Sequence, residues 1–91
     1  MMLRWTGKAQ SDLERLYAFL ALASPRAAAQ TVSALVAGVG KLTAHPRIGQ
    51  KLDQFSPLDV RRVLIGDYEI RYVVDRDAIT VLRLWHTRED R

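Results

Sequence analysis

The amino-acid sequence predicts a single α+β domain, a helical hairpin packed on a small antiparallel β-sheet in the order β-α-α-β-β-β. Three observations lead there. Apolar residues recur at helical spacing between residues 7 and 43. From residue 60 onward they alternate instead, as in half-buried strands. Two tight-turn signals, Gly66-Asp67 and Asp75-Arg76-Asp77, divide that second part into three runs. A chain of 91 residues has room for one domain, 1–91. At 48% hydrophobic and 26% charged, its composition is that of a folded domain rather than a disordered tail.

The elements follow in order. Leu3 to Trp5 reads as a short strand. Thr6 is placed to cap the helix that follows, with Asp12 and Glu14 toward its N-terminal part. Leu13, Leu16, Tyr17 and Leu20 form its apolar stripe, so the first helix is expected over 7–23. Ser24 then caps, and Pro25 suits the first position of a second helix. Ala28, Val32, Leu35, Val36, Val39 and Leu42 extend that helix over 25–43. Gly38 and Gly40 weaken it by about 1 kcal/mol each relative to alanine, and permit close approach of another segment. His45-Pro46-Arg47-Ile48-Gly49 breaks the helix and opens a loop to Pro57. The strands are expected at Val60–Ile65, Tyr68–Val74 and Ala78–Trp85, with a polar end from His86 to Arg91. Gly66-Asp67, with glycine first, suits a type II′ hairpin.

Turn lengths set the register, and the register sets the faces. With Gly66-Asp67 at the tip, Ile65 opposes Tyr68, Val63 opposes Ile70, and Arg62 opposes Arg71. A three-residue loop at Asp75–Asp77 places Val74 opposite Ala78 and Ile70 opposite Leu82. The core face is then Val63, Ile65, Tyr68, Ile70, Tyr72, Val74, Leu82 and Leu84. The other face carries Val60, Arg62, Leu64, Glu69, Arg71, Val73, Ile79, Val81, Arg83 and Trp85. Arg62 and Arg71 repel across the strands, and Glu69 lies opposite Arg83. Apolar side chains mixed with arginines on an open sheet face mark a candidate binding surface.

Charge and composition exclude other classes. The formal net charge is +4. Residues 1 to 58 hold seven basic and three acidic side chains, and residues 59 to 91 hold seven of each. All seven basic residues of the second part are arginines. Without cysteine, a disulfide scaffold, a zinc finger and a thiol nucleophile are excluded. With two histidines and no cysteine, no metal site is expected. No glycine-rich phosphate loop occurs, and no cofactor or small-molecule substrate is expected. No apolar run approaches the roughly 18 residues of a membrane span. Met1 to Trp5 contain no signal-peptide core, so a cytoplasmic, non-membrane location is expected. Asp75 and Asp77 read as turn residues and His45 as a surface residue. His86 ends the last strand beside Thr87 and Arg88. It suits either acid–base work on RNA or a hydrogen bond to the neighbouring backbone.

The run from Asp59-Val60-Arg61-Arg62 through Gly66-Asp67-Tyr68-Glu69-Ile70-Arg71-Tyr72, with Ile79-Thr80-Val81-Leu82-Arg83-Leu84-Trp85-His86, resembles the RelE/ParE superfamily of bacterial type II toxins. Trp5-Thr6, Ala9, Asp12-Leu13, Pro25, Ala28 and His45-Pro46-Arg47-Ile48-Gly49 extend the resemblance over nearly the whole chain. It implies a toxin neutralised by a co-encoded antitoxin whose C-terminal segment wraps it. RelE-like members cut messenger RNA in the ribosomal A site with basic residues on the sheet. ParE-like members poison DNA gyrase and are not nucleases. Glu69 stands where RelE-like members often have arginine, Thr87 follows His86 where arginine is common, and no late tyrosine appears. A carboxylate there repels a scissile phosphate and removes a stabilising cation. The resemblance therefore favours a gyrase-binding toxin without catalytic residues. The alternative is a ribosome-dependent ribonuclease using Arg71, Arg83, His86 and Arg88. The expected antitoxin-binding residues are Arg62, Leu64, Glu69, Arg71, Val81, Arg83 and Trp85, facing an acidic segment. The surface of the helix pair is a second place for that segment.

Overall fold

Capping and turn chemistry place the elements close to the predicted bounds. The computed structural model describes residues 1–89, so Asp90 and Arg91 of the expected polar end lie outside the described residues. The elements are β1 (Met2–Trp5), α1 (Gly7–Ala21), α2 (Pro25–Gly40), β2 (Gln50–Lys51), β3 (Asp59–Ile65), β4 (Tyr68–Val74) and β5 (Ala78–His86). Thr6 Oγ1 accepts the Ala9 N–H at 3.0 Å and so caps α1. Ser24 Oγ accepts the Ala27 N–H at 3.1 Å and caps α2, with Pro25 in the first turn. The last predicted turn of α2 tightens into a 3₁₀ turn, Lys41–Thr43.

The strands form one five-stranded sheet in the order β1-β5-β4-β3-β2. β1 runs parallel to β5, so the sheet is mixed rather than wholly antiparallel. The long connection that a parallel pair requires is the whole of the chain between them, both helices and the other three strands. The two-residue β2 lies within the predicted loop and pairs Gln50 with Arg62 and Lys51 with Arg61. Ala9, Leu35 and Val39 from the helices meet Ile70, Val81 and Leu84 of the sheet, with Leu3, Trp5 and Val63 packed around them. Leu42, Tyr72, Val74 and Ile79 continue the core toward the other end.

The β3–β4 register is the predicted one, from Ile65 opposite Tyr68 to Val60 opposite Val73. Gly66 takes φ +59° and Asp67 does not share that region, as a glycine-first two-residue turn requires. The β4–β5 register differs. Asp75 accepts the Asp77 and Ala78 N–H groups on its carboxylate at 3.0 Å, and its own N–H donates to the Ala78 carbonyl. The turn is therefore one residue longer, and Val74 opposes Ile79 rather than Ala78. This shift turns Ile79 and Val81 onto the core face, where both are fully buried. A β-bulge then leaves Leu82 without an opposing residue, and Arg71 pairs with Arg83, Ile70 with Leu84 and Glu69 with Trp85. The second offset returns Trp85 to the outer face.

The loop after α2 is tied to the sheet. Tyr72 is fully buried, and its hydroxyl donates to the Pro46 carbonyl at 2.9 Å and accepts the Gly49 N–H at 3.0 Å. Arg61 donates to the Arg47 and Gly49 carbonyls and pairs with Asp59. A Cβ on Gly49 would lie 2.6 Å from both the Arg62 carbonyl and the Tyr72 hydroxyl. Only glycine lets the loop approach this closely.

Candidate functional site

β1 covers β5 only as far as Val81. Beyond it, side chains from the start of α1 complete the open edge of β5. The Thr6 N–H donates to the Val81 carbonyl, and the Thr6 hydroxyl donates to the Leu82 carbonyl, both at 3.0 Å. Asp12 is 4% exposed. Its carboxylate accepts the Leu84 N–H at 3.0 Å, Arg83 Nε at 2.8 Å and Nη2 at 3.0 Å, and Arg15 Nη2 at 2.6 Å. Burial alone raises the pKa of such a carboxyl. The bonds from Arg83, Leu84 and Arg15 outweigh it and hold Asp12 below the ordinary carboxylate value. The same bond to Asp12 is the main cause that raises the pKa of Arg83. Sequence reasoning placed Asp12 only as an acid near a helix start. The missed signal is that it falls on the apolar stripe of Ala9, Leu13 and Leu16, where a carboxylate needs buried partners.

The outer face of the sheet holds Glu69 between two guanidinium groups. Arg62 Nη2 lies 3.2 Å from one Glu69 oxygen and Arg71 Nη2 lies 3.3 Å from the other. Arg62 also donates to Gln50 Oε1 at 2.9 Å. The expected repulsion between Arg62 and Arg71 is relieved by the acid between them. Arg71 lies over the Trp85 ring at 4.9 Å and the Phe55 ring at 5.7 Å. Phe55 arrives on a 3₁₀ turn, Asp53–Phe55, which sequence reading treated as plain loop. Arg71 Nε is buried and has no hydrogen-bond partner among the described residues. Leu64 is 54% exposed beside this cluster.

Five of the predicted partner-binding residues therefore share one face: Arg62, Leu64, Glu69, Arg71 and Trp85. Two expectations are corrected. Val81 is not on that face, because the longer turn rotates it into the core. Arg83 lies opposite Arg71, not Glu69, and its guanidinium is drawn to the edge by Asp12.

A groove of about 540 Å³ runs along the open edge of β5 beneath α1. Leu16, Phe19, Leu20, Leu84 and Trp85 give it an apolar floor and wall, and Arg15 and Arg88 stand on its rim. Phe19 is 73% exposed and Leu22, one turn on, is 86% exposed. His86 also faces this groove. Its ring meets Tyr68 edge-on at 5.1 Å, and its Nδ1 accepts the Arg88 N–H at 3.0 Å. The Tyr68 phenol is raised by burial and by the acids Asp67 and Glu89, and it stays protonated. Of the four residues of the nuclease alternative, Arg71 and Arg83 stand opposite each other on β4 and β5, and His86 and Arg88 line the groove. Arg71 lies on the outer face, and Arg83 is held by Asp12. Among the described residues, no group of three or more His, Cys, Asp or Glu side chains is placed to hold a metal ion. No helix among them is long and apolar enough to cross a membrane.

A search of the curated proteins finds no match. Eleven solved chains match the structure. One, from the "Chromosomal ParDE TA system from P. aeruginosa", is 27% identical with a TM-score of 0.77, covering 94% of this chain and 95% of that one. The family model described as "ParE toxin of type II toxin-antitoxin system, parDE" matches residues 3–91. The chain therefore belongs to the ParE toxin family of type II toxin–antitoxin systems, which implies a cognate antitoxin as its partner.

Proposed function

We propose that this toxin acts in the cytoplasm by binding DNA gyrase, performs no catalysis, and is silenced by its antitoxin. The observation that carries this reading is the state of the cations on the sheet. Arg62 and Arg71 share the one carboxylate of Glu69, and Arg83 is held by Asp12. RNA cleavage needs cations gathered at the place where charge develops, beside a group that moves a proton. Here the basic groups are paired or dispersed. A protein that grips a larger partner by shape and apolar contact has no such requirement.

The antitoxin is assigned to the groove and the adjoining face. An amphipathic, acidic segment fits an apolar trough with Arg15 and Arg88 on its rim. Arg15 is mostly exposed, so its charge is available to a carboxylate despite its bond to Asp12. Trp85 joins the two surfaces, because it lines the groove and also lies under Arg71. A segment crossing the edge of β5 thus reaches Arg62, Leu64, Glu69 and Arg71 on the outer face.

The test is gyrase supercoiling with purified toxin, alongside a translating extract. Inhibition at micromolar toxin, relieved by the antitoxin, with message left intact, is the expected result. No inhibition, or message cut at A-site codons, refutes the reading.

A further inference from the structure

We propose that Glu69 fills an anion seat on the outer sheet face and thereby keeps single-stranded nucleic acid off it. The inference does not depend on which large target the toxin poisons. Arg62 and Arg71 stand directly opposite each other on β3 and β4. Like charges so placed are unfavourable unless an anion lies between them. Glu69, two residues from Arg71 on the same face, supplies that anion. Its two oxygens are divided, one to each guanidinium, at 3.2 and 3.3 Å. Two cations gripping two oxygens of one anion is also how a phosphodiester is held.

The surroundings match that ligand. Trp85 and Phe55 present rings beside Arg71, at 4.9 and 5.7 Å from its guanidinium carbon. Aromatic rings interleaved with arginines on an antiparallel sheet are how single-stranded RNA is stacked and its backbone neutralised. The Arg71 Nε is buried and has no hydrogen-bond partner among the described residues, so the seat does not use the full donor set of its arginine. A phosphate from solution must displace a carboxylate tethered within the same strand, whose effective concentration is high. The chain thus carries a net charge of +4 and a stacking platform, yet its cation pair is already filled. On this view Glu69 determines specificity. It leaves the aromatic and aliphatic parts of the face for a protein partner.

The experiment is fluorescence anisotropy of a short labelled single-stranded RNA with the purified full chain. Glu69→Gln is expected to bind on the order of ten-fold more tightly than the wild type at low salt. Its log–log salt dependence steepens by about 0.7, because the emptied seat neutralises one more phosphate of a single strand. Glu14→Gln removes the same charge from an exposed position on α1 and is expected to change affinity less than about two-fold at moderate salt. Equal tightening by both variants shows net charge alone and overturns the proposal. So does a folded Glu69→Gln, verified by circular dichroism, that binds no tighter. Arg62→Ala in the otherwise wild-type chain gives a second measurement that keeps Glu69. With the seat filled, this variant binds RNA as the wild type does. A ten-fold loss shows that Arg62 already meets phosphate and overturns the proposal.

Discussion

Replacing Asp12 by alanine is the most demanding test of how this fold closes its sheet. The carboxylate is buried and accepts four hydrogen bonds, from Leu84, twice from Arg83, and from Arg15. Removing it leaves the Leu84 N–H buried without a partner, at a cost of about 1–3 kcal/mol. Arg83 also loses its partner, but its side chain is one third exposed, so water recovers much of that loss. The bond to the mostly exposed Arg15 contributes little. Together the loss is about 2–4 kcal/mol. For a domain of this size each kcal/mol shifts the melting temperature by about 4–8 °C, so Asp12→Ala should melt on the order of 8–32 °C lower. Asp12→Asn keeps an acceptor for the Leu84 N–H and should lose about half as much. The pH dependence follows from the depressed pKa of Asp12. Its contribution is complete above the ordinary carboxylate value near 4, and is lost as pH falls through the lower folded-state value. The gap between wild type and Asp12→Asn should therefore narrow in acid. Thermal melts followed by circular dichroism at neutral and acidic pH measure both effects. An Asp12→Ala protein melting within about 3 °C of wild type would refute the edge-closing role.

Two comparisons address packing and recognition. Gly49→Ala should destabilise by about 2 kcal/mol or more in urea titration, because its new methyl strikes backbone and a locked phenol. Gly38→Ala meets only the movable Ile65 side chain at 2.9 Å, and its helix propensity gain of about 1 kcal/mol offsets the adjustment, leaving a small net change. Phe19→Asp should weaken antitoxin capture by about ten-fold, a loss of about 1.4 kcal/mol, measured by calorimetry. Its melting temperature should stay near wild type, since Phe19 is largely exposed.

Local signals carried much of the fold. Thr6 and Ser24 are helix caps because their hydroxyls reach N–H groups three residues on, a relation written within a few residues. Gly66-Asp67 sets the β3–β4 register for the same reason. The site was less legible. The grouping of Arg62, Leu64, Glu69 and Arg71 on one face was readable from alternation, whereas Trp85 joins them only because two register offsets in β5 cancel. The pairing of Glu69 with Arg62 and of Arg83 with Asp12 was not readable, because the partners come from another strand and from a helix about 70 residues away.

The sequence by itself determined the α+β class, the caps, the first hairpin and the family, since each rests on neighbouring residues or their order along the chain. Only the tertiary structure decided which way β5 faces. One extra residue in the Asp75 turn sends Ile79 and Val81 into the core, and the bulge at Leu82 turns Trp85 out again. A period-2 strand inverts with each single-residue offset, and what selects the offset is burial under helices far away in sequence. The same packing places Asp12 where it takes Arg83 from the sheet face and leaves Glu69 to hold Arg62 and Arg71.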